Sequence, residues 1–112
     1  FTGFGEAYFS FVDYEEIKAW KRHKEMTLNL IVPKGKIRFV FLDDRIVSKV
    51  QFQEVIISNN NYSRLTVPPM IWMGFQGLSI NGSFLLNIAN IEHTRIEVEK
   101  RHISEVEFNW RN

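Results

Sequence analysis

Lys21 and His23, two positions apart, carry the acid–base chemistry this sequence can offer most directly. On an extended strand, residues i and i+2 project to one face, so the pair shares an environment if the segment is a strand. An imidazole titrates near neutral pH and can take or give a proton. A lysine can act as a base only when neutral, and its free ammonium titrates about three units above neutrality. Bringing it down that far costs about 4 kcal/mol of desolvation or like-charge repulsion. Lys18, Arg22 and Lys24 supply repulsion of the right sign, provided they converge on Lys21. Two readings stand for each residue. Lys21 is a base, or it stays a cation and pairs with a phosphate or carboxylate. His23 is a proton-transfer group, or a surface histidine beside a basic run.

Other residues could shape a binding pocket. Trp72 and Gln76 differ by four positions and so share a strand face. The indole could stack on a base or sugar while Gln76 bonds a hydroxyl; the alternative is core filling, which is the reading taken for Phe75. Asn29 and Asn87 are amides within apolar strands. Buried amides need partners, so each is a satisfied core group or a lining residue, and ligand contacts in barrels sit in the lumen. Arg64 presents a fork suited to phosphate, or is a solvated strand-end arginine. His93 and His102 read as surface groups. There is no glycine-rich phosphate loop, no Gly-x-Ser-x-Gly elbow and no Rossmann fingerprint.

The elements that must position these residues read as strands. Gly5–Val12 is aromatic and β-inclined. Glu16–Trp20 is a short strand leading into the basic run. Thr27–Val32 alternates, with Leu28, Leu30 and Val32 on one face and Asn29 and Ile31 on the other. Pro33-Lys34-Gly35 reads as a turn, because proline cannot continue a ladder and glycine accepts positive φ. Lys36–Leu42 follows and ends at Asp43-Asp44-Arg45, a structural corner. Phe52–Ser58, Arg64–Val67 and Met70–Gly77 are further strands. Asn81-Gly82 offers the strongest hairpin turn, with Ser83–Asn90 returning. The tail from Ile91 is charged and weakly patterned, with Ile103, Val106, Phe108 and Trp110 as docking points. Many short strands with regular turns make an all-β sandwich or barrel.

Composition narrows the function classes. The 112 residues suit one domain, spanning 1–112. The formal net charge of +1 gives no field pointing to nucleic acid or an acidic membrane. No cysteine is present, which excludes disulfides and thiolate metal sites. The apolar runs are strand-length and no signal peptide is visible, so a cytoplasmic, non-membrane protein is expected. The chain opens at Phe1 without methionine, and residues are expected to be missing upstream.

Two blocks are diagnostic. The first is Ile17-Lys18-Ala19-Trp20-Lys21-Arg22-His23-Lys24, followed by Leu28–Val32 and Phe39–Arg45. The second runs from Arg64 through Pro68-Pro69-Met70-Ile71-Trp72-Met73-Gly74-Phe75 to Ser79, with Leu85–Asn90 after it. In order and spacing, these resemble the dTDP-4-dehydrorhamnose 3,5-epimerase family and its sugar-isomerase relatives over residues 5 to 95. The resemblance implies a cupin, a double-stranded β-helix or jelly-roll barrel, acting as a homodimer on a nucleotide sugar. The family's reaction removes a proton beside a ketone and returns one from the other face. That needs a base, a cation or donor for the enolate oxygen, and an acid opposite the base. Aligned by order, Lys18 falls on the family's arginine, Lys21 on its catalytic histidine, Met73 on a second histidine, and Asn87 near its tyrosine acid. The family's lysine on the following strand has no counterpart. With Lys21 and Met73 at two positions that metal-dependent cupins give to ligands, no metal or other cofactor is expected.

The expectation is therefore a nucleotide-sugar epimerase or isomerase acting beside a keto group. Lys21 and His23 are its proton-transfer residues, and Lys18, Asn29, Arg64, Trp72, Gln76 and Asn87 bind substrate. The competing expectation is a non-catalytic or divergent cupin that binds a sugar nucleotide or serves as a module in a sugar-modifying pathway.

Overall fold

The computed structural model describes residues 3–45, 51–92 and 97–111. Nine strands follow in order: β1 (Glu6–Val12), β2 (Ile17–His23), β3 (Leu28–Lys34), β4 (Lys36–Asp43), β5 (Gln51–Ser58), β6 (Leu65–Val67), β7 (Trp72–Gly77), β8 (Ser83–Ala89) and β9 (Val98–Lys100). They form a four-stranded sheet, β1-β8-β3-β6, facing a five-stranded sheet, β5-β4-β7-β2-β9. Every recorded pairing is antiparallel. This is the all-β jelly roll of the cupin kind, and no α-helix occurs among the described residues. No helix is long and apolar enough to cross a membrane.

Period-two alternation builds the core. Leu28, Leu30 and Val32 of β3 meet Ile37 and Phe39 of β4, with Met73 and Leu85 completing the filling between the sheets. Their fellows on the opposite face of the five-stranded sheet form a second cluster. There Trp20, Val40, Leu42 and Trp72 are covered by Val106 and Trp110, with Ile103 and Phe108 packed against them. The expected docking points of the tail hold, and its undecided conformation resolves into β9 and a 3-10 turn, Ile103–Glu105, capped by His102. His93 lies outside the described residues.

Three expectations about turns and lengths change. β2 extends to His23, so the basic run is strand. β3 continues through Pro33 to Lys34. Between Ile31 and Lys34 its register with β8 shifts, three residues opposing two. Proline is tolerated in such an irregularity because no ladder donor is required there. The Asn81-Gly82 turn closes with the Gly82 N–H donating to the Ser79 carbonyl at 2.9 Å, but it is not a hairpin. β7 already has β2 and β4 as neighbours, and β8 enters the other sheet between β1 and β3. The Asp43-Asp44-Arg45 corner is structural. Arg45 holds the exposed Asp43 carboxyl down at about 2 through hydrogen bonds.

Gly35 carries the chain from one sheet to the other with φ of 95°. A Cβ there would sit 2.7 Å from Ser83 Cα, against the side chain whose hydroxyl accepts from Lys36 N at 3.0 Å and donates to Lys36 O at 3.1 Å. Gly35→Ala combines left-handed strain with a clash and should destabilise by about 2 to 4 kcal/mol. A lowered urea midpoint at unchanged m-value reads it; a midpoint within error of wild type contradicts it.

Candidate functional site

A bulge decides what β2 shows to the interior. Between Lys18 and Lys21 three steps on β2 match two on β7, Lys18 opposing Phe75 and Lys21 opposing Met73. One extra residue reverses the alternation, so Lys18 and Lys21, an odd number of positions apart, both reach the same cavity. His23, two beyond Lys21, reaches it as well. Met73 and Phe75 come from β7, Asn87 from β8, Tyr8 and Ser10 from β1, Lys100 and Arg101 from the end of β9. The cavity measures about 410 Å³. Larger clefts lie between β5 and β6, about 570 Å³, and beside the C-terminal segment, about 900 Å³. Neither brings an imidazole, free ammoniums and a phenol together.

His23 is buried and oriented. Its Nδ1 lies 2.7 Å from Glu97 Oε2, with residue exposures of 9% and 4%. The second carboxylate oxygen accepts the backbone N–H of Glu25 at 3.0 Å and of Met26 at 2.8 Å. Burial pushes the Glu97 carboxyl upward, but the imidazole and the two N–H donors outweigh it and hold the group below its ordinary value. With Nδ1 donating to an ionised carboxylate, the proton-accepting lone pair belongs to Nε2.

Cations gather without acids. The cavity lining contains no carboxylate among the described residues. Lys21 stands directly across from Lys100 in the β2–β9 ladder, a like-charge opposition that costs stability. Lys18 Nζ donates to the Phe11 carbonyl at 3.1 Å. Burial, then Lys100, then Lys18 pull the Lys21 ammonium below the usual lysine value. The repulsion foreseen from Arg22 and Lys24 is therefore supplied by Lys100 instead. Arg22 turns to the other face, donating from Nε and Nη2 to Glu99 at 3.1 and 2.8 Å and from Nη1 to Asp44 at 3.3 Å.

The remaining sequence candidates divide. Lys18, Lys21, His23 and Asn87 meet in the cavity, where the Asn87 amide lies 3.5 Å from the Ser10 hydroxyl. Trp72, Gln76, Asn29 and Arg64 do not line it. Trp72 and Gln76 do share a face of β7, but it is the one covered by the tail. The Trp72 indole donates to Asp44 at 3.2 Å beneath the guanidiniums of Arg22 and Arg101, at 4.7 and 4.5 Å. Gln76 is buried beside Arg38 and Trp110. Asn29 is a satisfied core amide accepting from the Thr66 hydroxyl at 2.8 Å. Arg64 is exposed just ahead of β6. Tyr8, Glu97 and Lys100 escaped the sequence reading. Glu97 and Lys100 belong to a segment whose only strand among the described residues has three residues, too short to display a period. Tyr8 was one aromatic among several in β1. Among the described residues, no three histidine or carboxylate side chains converge as metal ligands.

Removing the Glu97 charge should cost about 1 to 3 kcal/mol, because Glu97→Gln cannot satisfy the imidazole N–H and both backbone donors equally. The native carboxyl titrates below its unfolded value of 4.5. The stabilisation is therefore complete above that value and is lost as pH falls through the lower native one. Urea unfolding from pH 7 down to pH 3 should show this acid-side loss in the wild type and a shallower slope in Glu97→Gln. Parallel curves would contradict it.

No protein-family model matches the chain, and no curated protein matches it. Solved structures do. A dTDP sugar isomerase from Desulfovibrio desulfuricans is 33% identical, with a TM-score of 0.89 over 98% of this chain and 73% of that one. A dTDP-4-dehydrorhamnose 3,5-epimerase from Sulfolobus tokodaii shares the fold at 20% identity and a TM-score of 0.80, over 95% of this chain and 62% of that one. So does a sugar 3,4-ketoisomerase from Thermoanaerobacterium thermosaccharolyticum, solved with TDP, at 15% identity and a TM-score of 0.74 over 88% and 68% of the two chains. The jelly roll, its strand order and the 33% identity lead to one assignment: this chain belongs to the dTDP-sugar isomerase and 3,5-epimerase family of cupins.

Proposed function

We propose that this protein is a nucleotide-sugar epimerase or isomerase acting beside the ketone of a dTDP-4-keto-6-deoxyhexose, in deoxysugar or surface-polysaccharide synthesis. The observation that carries this reading is the His23–Glu97 pair, with Nδ1 held by Glu97, at a cavity lined by cations and by no carboxylate among the described residues. A carbon acid beside a carbonyl needs a base at the C–H and a positive group at the oxygen. His23 Nε2 removes the proton. Lys21, whose ammonium is weakened by burial and by Lys100, donates to the oxygen as it becomes an enolate. Lys18 and Lys100 neutralise the diphosphate, and Asn87 holds a sugar hydroxyl. Glu97 fixes the imidazole's tautomer and stabilises the imidazolium. None of these roles calls for a metal or other cofactor.

The competing reading is a barrel that binds the sugar nucleotide without turning it over, and it rests on Asn87 standing where the family resemblance places a tyrosine. Incubation with dTDP-4-keto-6-deoxyglucose in deuterated water separates the two. Deuterium should enter the ring beside the ketone, and His23→Ala and Lys21→Ala should each lower the rate by about 10²- to 10⁴-fold. Binding with no exchange would leave only the binder. Variants that exchange at the wild-type rate would remove both assignments.

The assembly proposed is a homodimer. The outer face of the four-stranded sheet exposes Phe9, Phe11 and Phe84, at 64%, 45% and 39%. A twofold contact uses one patch on both copies, and a patch of uncharged rings can oppose itself without like-charge repulsion. Sedimentation equilibrium should return twice the chain mass, and Phe9→Lys should halve it. A monomeric wild type would refute the assembly.

A further inference from the structure

We infer that Glu99 is a positioning residue, which works through Arg22 on the side of β2 away from the cavity to keep Lys100 directly across from Lys21. The pleat links the two faces. In the β2–β9 ladder Lys21 opposes Lys100, and the next pair, Arg22 with Glu99, projects to the other side. Inside, two ammoniums face each other; outside, a guanidinium faces a carboxylate. Like charges directly across a ladder push the strands apart, and opposite charges draw them together by comparable amounts. β9 has three residues and closes the edge of its sheet, with β2 as its one strand neighbour among the described residues. Little else resists the repulsion.

The outer contact is the better anchored of the two. Arg22 Nε and Nη2 both donate to Glu99 Oε1, at 3.1 and 2.8 Å, while Nη1 is held by Asp44 at 3.3 Å. A guanidinium fixed at its far nitrogen loses little further freedom in gripping Glu99. Asp44 also accepts from the Trp72 indole at 3.2 Å, beneath the same guanidinium, and pairs with Arg101 at the end of β9.

Under the proposed role of Lys21 as donor to the enolate oxygen, on which this inference rests, the position of Lys100 sets how readily the proton is offered. An ammonium beside another gives up its proton more easily, and after burial Lys100 contributes most to weakening Lys21. The other titratable or charged groups at the cavity are Lys18 and His23 of β2, the Tyr8 phenol of β1, and Arg101, whose guanidinium is taken by Asp44. β7 and β8 line it with uncharged side chains. Only Lys100 lies on the strand that Glu99 holds.

Glu99→Gln keeps the side chain's size and removes its charge, at a position 36% exposed that tolerates the change. The Arg101 N–H, which donates to the Trp20 carbonyl at 3.1 Å, should then exchange with solvent about two- to fivefold faster. Adding Lys100→Met removes the repulsion and should bring that rate back toward wild type. In the NMR titration of its Cε resonance, Lys21 should lose its proton at higher pH in Glu99→Gln than in wild type. Loss of a negative charge acting only through space would move it lower. In the Lys100→Met background Glu99→Gln should cause no further rise. An unmoved or lowered Lys21 titration in Glu99→Gln overturns the assignment, and so does a rise that persists without Lys100. The alkaline limb of deuterium exchange should follow Lys21 to higher pH. A wild type that exchanges no deuterium refutes the proton-abstraction reading, and the Lys21 titration still decides the role of Glu99.

Discussion

The site depends on one buried carboxylate. An ionised side chain taken out of water costs several kcal/mol unless each lone pair finds a donor. Glu97 finds three: the His23 imidazole and the backbone N–H groups of Glu25 and Met26. Those donors belong to the end of β2 and the residues just past it, and Glu97 immediately precedes β9. The same bonds therefore seat β9 against β2 and set the plane of the imidazole. The imidazole and the sheet edge that carries Lys100 are positioned together.

Cations are sorted by what surrounds them. On the outer face of the five-stranded sheet, Arg22 and Arg101 reach Asp44, Arg22 also reaches Glu99, and both guanidiniums lie over the Trp72 ring. That network closes on itself and has no need of a ligand. Within the cavity Lys18, Lys21 and Lys100 meet no carboxylate among the described residues, and two of them face each other across a ladder. Repulsion of this kind lowers stability in the empty protein and is relieved when an anion enters. The fold thus keeps paired charge outside and unpaired charge within, an arrangement suited to a phosphorylated substrate.

β7 divides the two environments by its pleat. Met73 and Phe75 face the cavity, whereas Trp72 and Gln76 face the tail. The shared face of Trp72 and Gln76 was legible from their spacing. Which side of the sheet that face would occupy was not, because both sides of a central strand are covered and both read as apolar. The Asn81-Gly82 turn shows the same limit. Its local geometry follows from residue type, but a turn cannot report whether the strand beyond it pairs with the strand before it.

The sequence by itself determined most of the strands and the core face of Leu28, Leu30 and Val32, since these follow from a two-residue period and from residue types; that Lys21 and His23 share a face followed from it only once β2 was found to run to His23. Through two blocks of spaced residues it also pointed to the cupin barrel. Tertiary structure alone decided that Lys18 joins Lys21, because a bulge is a mismatch between two strands and has no local signature. It alone brought Glu97 to His23 and Lys100 to Lys21, through a ladder closed across more than seventy residues of chain. It alone brought Tyr8 of β1 into the cavity that His23 lines. Contacts between strands distant in sequence depend on which edges are left to pair, and that is settled only when both sheets have formed.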